Sequence, residues 1–304
     1  MNKHSITLSF EINEPQLLLR DAIKHYGISK KALTSIKYEG GTILVNGEEK
    51  TVRHILTVGD KVTIIFPEEK SSEGLIAEKG DFPILFEDEH ILIFSKEAGL
   101  STIPSREHPH GTVANFVAGY FAESGLSSTV HIVTRLDKDT SGVICVAKHR
   151  HAHHLLSEMQ KAGTISREYE AIVHGFIQQD SFVIDAPIGR KDGSIIERLI
   201  SQEGKYAKTS VQVLNRFHLQ GEELTHVRLQ LHTGRTHQIR VHMMSIGHPL
   251  IGDDLYGGSQ KFISRQALHA RELNLKHPFS GETLKIISPF PKDMKDIIPT
   301  KTTK

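Results

Sequence analysis

Short apolar runs recur between residues 84 and 231 of this chain, and they predict a series of β-strands. They cover residues 84–86, 91–94, 130–136, 143–147, 169–173, 211–214 and 227–231. Helical segments interrupt the series at irregular intervals, notably at residues 113–122 and 152–162. Because a doubly wound parallel sheet needs a regular alternation of strands and helices, this irregular order favours a mixed α+β fold.

The length and the breaker-rich stretches divide the chain in two. A chain of 304 residues can form two domains, and residues 67–80 are polar and rich in residues that interrupt helices and strands. We therefore expect a small N-terminal domain at residues 14–68, a linker at 69–80 and a larger domain at 81–295. Residues 296–304 are expected to form a frayed tail.

The N-terminal unit has the pattern of two helices followed by short strands. Apolar residues recur at helical spacing in residues 17–26, and Gly27 is expected to end that helix. Ser29 is the expected N-cap of a second helix. The pair Asn46 and Gly47 predicts a hairpin turn, and a further strand is expected at residues 61–66.

Composition narrows the class of protein. Hydrophobic residues make up 38% and charged residues 24% of the chain, a balance typical of folded globular proteins. No apolar run approaches the roughly 20 residues that a membrane helix requires, and the first residues lack the apolar core of a secretory signal. The single cysteine, Cys145, excludes an intrachain disulfide framework. We therefore expect a cytoplasmic protein without a membrane partner.

Residues 135–142 (RLDKDTSG) place a carboxylate, Asp137, in the turn between two predicted strands. A side chain in such a turn can face a cleft while the strands hold its backbone still. An aspartate in a turn is most often a hydrogen-bonding turn residue, however, and Asp139 could have the same role. Taken alone, these residues favour a structural role over a catalytic one.

Two further segments carry polar side chains at places where a cleft can form. In residues 166–175 (SREYEAIVHG), Tyr169 lies on one face of a predicted strand, where an aromatic ring is most often part of the core. In residues 233–240 (TGRTHQIR), Arg235 lies between a strand and a helix predicted at residues 236–246. A side chain at such a junction commonly points into a cleft.

These motifs together resemble those of the RluA-type RNA pseudouridine synthases, over roughly residues 80–290. The runs RLDKDTSG and TGRTHQIR are long and specific, and GDDLYG at residues 252–257 resembles a further element of that family. The resemblance implies a catalytic domain with a mixed, largely antiparallel sheet and flanking helices. Two positions depart from the family pattern, since Thr134 stands where His is usual and Glu97 where Pro is usual.

The resemblance also implies a role for each site residue. Asp137 would be the catalytic carboxylate, and Tyr169 would lie against the uracil. Arg235 would form an ion pair with Asp137 that favours the charged carboxylate. Arg135 would help to extrude the target uridine. Because isomerisation of uridine to pseudouridine adds no atoms, no cofactor, nucleotide or metal is expected.

The N-terminal unit resembles the small RNA-binding domain first described in ribosomal small-subunit protein S-four, through its helices and the turns VNG and VGDKV. This resemblance implies that basic side chains of the unit contact RNA phosphates. They are Arg20, Lys24, Lys30, Lys31 and Lys37. Since the net charge of the whole chain is only +1, this local cluster carries the argument for RNA. A solvated helix face is the alternative.

We therefore expect an isomerase that acts as a monomer on structured RNA, with large-subunit ribosomal RNA favoured and transfer RNA as a second choice. A catalytically silent RNA-binding or ribosome-assembly factor is the alternative, and the intact residues Asp137, Tyr169 and Arg235 argue against it. A carboxylate-dependent glycosidase would require a second acid at a defined separation, and none stands out in these motifs.

Clustered histidines raise the question of a metal site. His149 and His153 have helical i,i+4 spacing, and further histidines follow in the third motif. No carboxylate or cysteine completes a closed set of ligands. Solvated or RNA-facing histidines are therefore the favoured interpretation.

Overall fold

The computed structural model describes residues 6–14, 17–70, 74–105 and 109–299. The helices in these ranges are α1 (Leu19–His25), α2 (Lys30–Tyr38), α3 (Val113–Glu123), α4 (Arg150–Lys161), α5 (Gln238–Ser245) and α6 (Lys292–Lys295). The strands are β1 (Thr7–Glu11), β2 (Leu17–Leu18), β3 (Thr42–Val45), β4 (Glu48–Glu49), β5 (Ile55–Leu56), β6 (Lys61–Ile65), β7 (Ile84–Glu87), β8 (Ile91–Lys96), β9 (His131–Ile132), β10 (Ser141–Ala147), β11 (Ser166–His174), β12 (Ser181–Asp185), β13 (Ile188–Arg190), β14 (Arg198–Ile200), β15 (Lys208–Leu219), β16 (Glu222–Leu231), β17 (Leu268–Lys276) and β18 (Thr283–Ile287).

Residues 7–66 build a small unit around its own apolar core. Strands β1, β6, β3 and β4 form an antiparallel sheet in that order, and β2 pairs with β5. The side chain of Ser29 accepts a hydrogen bond from the N–H of Ala32 at 3.1 Å, which confirms the predicted N-cap of α2. Asn46 and Gly47 both have positive φ, as a tight turn between β3 and β4 requires, so the predicted hairpin is confirmed.

A ten-stranded sheet forms the centre of the rest of the chain. Its strand order is β12-β15-β16-β11-β17-β10-β8-β7, with β18 pairing along β17 and β9 along β10. Each neighbouring pair of these described strands is antiparallel except β10 and β17, which run parallel. The predicted fold class, α+β with a mixed, largely antiparallel sheet and flanking helices, is confirmed.

Strands β8 and β10 are buried on both faces because a helix covers each face. Leu92 and Ile144 share an apolar core with α3, whereas Ile93 and Cys145 share another with α4. Side chains that are adjacent along a strand point to opposite faces, so each strand contributes to both cores at once. These continuous apolar runs are therefore explained by double-sided burial.

A close approach of two backbones fixes the beginning of β10. Gly142 has a φ of 117°, and a Cβ atom at this position would lie 2.2 Å from the carbonyl oxygen of Ala270 in β17. Only glycine tolerates both the φ and the contact. The parallel pairing of β10 with β17 consequently starts directly after the turn that carries Asp137.

The prediction of a strand at residues 130–136 is wrong for most of that range, since β9 contains only His131 and Ile132. The N–H groups of Val133 and Thr134 both donate to the carbonyl oxygen of Cys145, at 2.9 and 3.2 Å. This shared acceptor ends the ladder, and the chain leaves the sheet as a loop. The apolar residues beyond it are buried by loop packing and not by pairing.

The described parts of residues 67–80 lie against the larger unit. Glu69 accepts hydrogen bonds from Nε2 of His131 at 2.7 Å and from the N–H of Arg150 at 2.5 Å. Further along, the Glu78 carboxylate accepts from the N–H of Gly111 at 2.9 Å, next to α3. The predicted linker includes residues 71–73, which lie outside the described residues, as do residues 300–304 of the predicted tail.

Within the described ranges, no helix is long and apolar enough to cross a membrane.

Candidate active site

Asp137 lies in the loop between β9 and β10 with 28% of its side chain exposed. Its neighbour Leu136 is buried, and Arg135 on the other side of Leu136 is exposed. The carbonyl oxygen of Asp137 accepts a hydrogen bond from the N–H of Thr140 at 3.1 Å, which closes a turn. The loop therefore presents one carboxylate to an accessible cleft while its apolar neighbour anchors the backbone.

A buried lysine, Lys96, connects this loop to the end of β8. Lys96 is only 1% exposed, and its Nζ donates to the carbonyl oxygens of Glu97 at 2.7 Å, Leu100 at 2.9 Å and Lys138 at 2.8 Å. Burial lowers the pKa of Lys96 to about 7, although the charges of Asp139 and Asp137 oppose the shift. One amine thus joins the end of β8 to the residue that follows Asp137.

Arg240, in α5, is the counter-ion of Asp137. Its Nη1 lies 3.4 Å from Oδ2 of Asp137, while Nε and Nη2 each donate to the Asp253 carboxylate at 2.7 Å. Asp253 is fully buried. Burial opposes the charge of Arg240, but the bonds to Asp253 and the charge of Asp137 outweigh it and raise the pKa of Arg240. The bidentate bond fixes the guanidinium plane and aims its remaining edge at Asp137.

The ion pair predicted between Arg235 and Asp137 is not formed. Arg235 is exposed, and its Nε donates to the carbonyl oxygen of Tyr206 at 2.9 Å. The physical reason is the turn before α5, where His237 adopts a left-handed φ of 56°. The side chain of Gln238 also accepts the N–H of Arg235 at 3.0 Å, which holds this backbone in the loop. As a result Arg235 points outward, and the inward arginine is Arg240.

Two aromatic side chains complete the surroundings of the ion pair. Nε2 of His237 lies 3.9 Å from Oδ2 of Asp137, and its Nδ1 lies 2.9 Å from the Tyr256 hydroxyl. Burial lowers the pKa of His237, although Asp137 opposes the shift. The Tyr256 ring also lies 4.9 Å from the Arg240 guanidinium, which is cation–π distance. The left-handed His237 is thus a strained residue in direct contact with the site.

Tyr169 lies in β11, only 5% exposed, in the same core as Leu136. Burial raises the pKa of its hydroxyl, the charge of Arg167 opposes the shift, and the charge of Asp137 adds to it. The phenol is therefore protonated at neutral pH and lies within electrostatic reach of Asp137. The structure thus places Tyr169 in the core that also contains Leu136, the neighbour of Asp137, whereas Arg235 lies on the surface.

Arg135 and Thr134 occupy contrasting places in the same loop. The Arg135 side chain is exposed and has no hydrogen bond or ion pair to any residue that the structure describes. Thr134 is buried, and its Oγ1 accepts the N–H of Cys145 at 2.9 Å. Arg135 is free to contact a ligand, whereas Thr134 supports the backbone that leads to Asp137.

The expectation of solvated histidines is wrong for His149 and His151, which are both buried. His149 caps α4 by accepting the N–H of Ala152 at 3.2 Å, and its Nε2 lies 3.0 Å from Nδ1 of His90. His151 stacks on Phe66, so these rings fill the junction with the N-terminal unit. Among the described residues, no three His, Cys, Asp or Glu side chains are arranged to hold a metal ion.

The basic residues predicted to bind RNA all lie on the surface of the N-terminal unit. Arg20, Lys24, Lys30, Lys31 and Lys37 are each exposed on α1 or α2. Lys31 also borders a groove of about 790 Å³ that is shared with α4. The cluster is therefore separate from the Asp137 loop but accessible to a large ligand.

Sequence reasoning missed four residues of this site, namely Lys96, His237, Arg240 and Asp253. Arg240 lies in the same TGRTHQIR motif as Arg235, five residues further on. Its position in the first turn of a helix, together with the acid Asp253 in the GDDLYG element, was the available signal. A buried arginine requires an anionic partner, and Asp253 provides one.

Comparison with known proteins identifies close sequence relatives. Residues 90–245 match the family model described as RNA pseudouridylate synthase. A Bacillus subtilis protein named uncharacterized RNA pseudouridine synthase YjbO is 49% identical over 272 residues, which are 90% of this chain and 95% of that protein. Ribosomal large subunit pseudouridine synthase D of Pseudomonas aeruginosa is 40% identical over 267 residues, which are 83% of this chain and 82% of that protein.

A solved structure agrees with these matches. The human protein RNA Pseudouridylate Synthase Domain Containing 1 superposes with a TM-score of 0.57 and 26% sequence identity. The match covers 70% of this chain and 86% of the human chain. The sheet that carries the Asp137 loop is thus an arrangement already seen in that group of proteins.

Replacing Arg240 should destabilise the protein strongly. Arg240→Gln leaves the Asp253 carboxylate fully buried without its cation, and breaking a buried pair costs about 3 kcal/mol or more of unfolding free energy. Urea denaturation at pH 7 measures the loss. Arg235→Gln is the matched control, and because Arg235 is exposed it should change the unfolding free energy by less than about 0.5 kcal/mol. Equal losses would contradict the assignment of Arg240.

Lys96 should make stability depend on pH above neutrality. Its pKa falls from 10.5 in the unfolded chain to about 7 in the folded one, so between these values the unfolded state binds more protons. The unfolding free energy should therefore rise with pH over this window. Lys96→Met should reduce that rise by about 1 kcal/mol per pH unit, as measured by urea denaturation from pH 7.5 to 9.5.

The control for this measurement is Lys161→Met, which removes an exposed ammonium group. It should leave the pH dependence of the unfolding free energy unchanged. If Lys96→Met and Lys161→Met gave the same slope as the wild-type protein, Lys96 would be protonated in the folded state throughout this range.

Proposed function

The chain belongs to the RluA-type family of RNA pseudouridylate synthases, and we propose that its substrate is large-subunit ribosomal RNA. It is an isomerase that converts uridine in RNA to pseudouridine. The observation that carries the proposed mechanism is the accessible carboxylate of Asp137, held by Arg240 beside Tyr169. The choice of ribosomal RNA is supported by the relatives named ribosomal large subunit pseudouridine synthase D.

The reaction breaks the bond from C1′ of the ribose to N1 of uracil and joins C1′ to C5 of the same base. Asp137 acts on the ribose, either by attacking C1′ or by assisting removal of the 2′ hydrogen to give a glycal. An ionised carboxylate suits both routes, because each develops positive charge on the sugar. Arg240 aligns the carboxylate and does not itself need to move.

Tyr169 acts on the base. Its ring is buried in the core that also contains Leu136, the neighbour of Asp137, and we propose that the uracil stacks on the ring during rotation. After the new carbon–carbon bond forms, C5 loses its proton and N1, which no longer bonds to the ribose, takes up a proton. No atoms are gained or lost, so the residues described here are sufficient for the overall change without a redox cofactor.

Arg135 assists extrusion of the target uridine. Its side chain is exposed and unpaired among the described residues, two positions from Asp137. Flipping a nucleotide out of a stack costs a few kcal/mol, and a cation that fills the vacated space offsets part of this cost. Arg235 is also exposed, and we propose that it contacts the RNA backbone.

The N-terminal unit is proposed to be an S-four-like RNA-binding domain that contributes affinity but no sequence readout. Its five exposed cations suit phosphate contacts, and Lys31 borders the groove shared with α4. RNA held by α2 would therefore also lie near the larger unit. We further propose that the enzyme works as a monomer in the cytoplasm.

Asp137→Asn should abolish isomerisation while RNA binding is retained. The amide keeps the size of the side chain but removes the negative charge that the reaction requires. The rate of pseudouridine formation on a ribosomal RNA transcript should fall by about 1,000-fold or more. Asp139→Asn, which makes the same change in the same loop, should stay within about threefold of the wild-type rate. Full activity of Asp137→Asn would refute the catalytic assignment.

The double variant Lys30→Ala/Lys31→Ala should bind RNA more weakly. The slope of log affinity against log salt concentration should become shallower by about 1.5, because two phosphate contacts are lost. Lys292→Ala/Lys295→Ala removes the same charge from α6 and serves as the matched control. Identical salt slopes for both double variants would assign α2 a solvated surface with no RNA contact.

A further inference from the structure

Arg167 is a cation near Tyr169 that has no ion-pair partner among the described residues. It lies in β11 two residues before Tyr169, so the two side chains belong to the same face of the strand. Its Nε atom is buried and has no hydrogen-bond partner. Within the described part of the chain, no carboxylate or carbonyl accepts a hydrogen bond from any atom of this guanidinium.

Three other partly or fully buried arginines each have a carboxylate partner. Arg240 binds Asp253, Arg265 binds Asp293, and Arg216 binds Asp180, each at 2.7 Å. A buried donor is costly unless an acceptor compensates it. Arg167 differs from these three, because its buried Nε has no acceptor among the described residues.

The turn before α5 is shaped around this guanidinium. A Cβ atom at Gly234 would lie 3.2 Å from both Nη1 and Nη2 of Arg167. Such a contact is tighter than side chains normally make, so glycine leaves room for the planar group beside the turn. Arg167 thus lies beside the TGRTHQIR turn, in the strand that also carries Tyr169.

We propose that the Arg167 guanidinium binds a carbonyl oxygen of the target uracil and stabilises the negative charge on the detached base. This inference rests on the proposed roles of Asp137 and Tyr169. When the C1′–N1 bond breaks, its electron pair stays with N1 and spreads over the carbonyl oxygens of the ring. A fixed cation beside those oxygens lowers the barrier to cleavage and holds the base while it rotates.

A backbone phosphate is the less suitable partner for Arg167. Phosphates stay at the surface of a bound RNA, where Arg135 and Arg235 are exposed to meet them. Arg167 is recessed beside Tyr169, and the hydroxyl of Tyr169 responds to its charge. A flipped uracil that stacks on the Tyr169 ring brings its own oxygens to this depth.

Single-turnover kinetics at saturating RNA test the inference. Arg167→Gln should slow pseudouridine formation by about 100-fold or more, with the dissociation constant for RNA within threefold of wild type. Arg167→Lys keeps the charge and should form pseudouridine at least tenfold faster than Arg167→Gln. Arg228→Gln, an exposed arginine of the adjacent strand paired with Glu168, is the matched control and should react at the wild-type rate.

A second substrate separates stabilisation of the leaving base from a merely structural role. Fluorine at C5 makes N1 of uracil more acidic, so 5-fluorouracil leaves more easily and depends less on an external cation. The rate at which 5-fluorouridine disappears from digested RNA should therefore fall less in Arg167→Gln than the rate of uridine isomerisation. The fold-decrease for 5-fluorouridine should be at least ten times smaller than the fold-decrease for uridine. Equal losses on both substrates would overturn the proposal.

The remaining outcomes are also decisive. Normal chemistry with weakened affinity and a shallower salt slope would make Arg167 a phosphate contact and refute binding to the base. If the wild-type enzyme itself left every uridine of large-subunit ribosomal RNA unchanged, the proposed substrate would fail. If the wild-type enzyme and Arg167→Gln reacted equally fast, only the inference about Arg167 would fail.

Discussion

The buried guanidinium of Arg240 is the interaction on which the geometry of the site depends. Its burial would be unfavourable without an anion, and Asp253 accepts bonds from two of its N–H groups in a bidentate pair. The edge that remains faces Asp137 at 3.4 Å. The orientation of the Asp137 carboxylate therefore depends on a second carboxylate, Asp253, which is fully buried. This division lets Asp137 stay accessible while its counter-ion is held rigidly.

Apolar cores cover both faces of the strands next to the polar site. Helices α3 and α4 cover the two faces of β8 and β10, which leaves the loop between β9 and β10 as the irregular segment of that region. Lys96 donates hydrogen bonds to the carbonyl oxygens of Glu97 and Leu100, which follow β8, and to that of Lys138 in the loop. One buried lysine thus connects the loop that carries Asp137 to the end of β8.

Much of the fold could be predicted from the sequence, because its signals are local. Alternation and apolar runs identified the strands, Asn46 and Gly47 identified a hairpin, and Ser29 identified a cap. The roles of Asp137 and Tyr169 came from the family resemblance of their motifs and remain predictions. Local sequence signals could not decide whether Arg235 or Arg240 pairs with Asp137. The pairing depends on the left-handed backbone of His237, which no residue preference at that position predicts. The buried histidines were missed for a related reason, since their burial comes from contact with a distant unit.

The register between β8 and β10 also affects where the site residues lie. Gly142 is paired with Lys96, so the last residue of β8 stands opposite the first residues after the Asp137 turn. A slip of β8 by one residue would exchange the side chains that face α3 with those that face α4. The same slip would carry the Lys96 amine away from the Lys138 carbonyl. Apolar packing on the two faces of the sheet therefore also determines the position of the Asp137 carboxylate. The side chains that do this lie in the core and do not belong to the site.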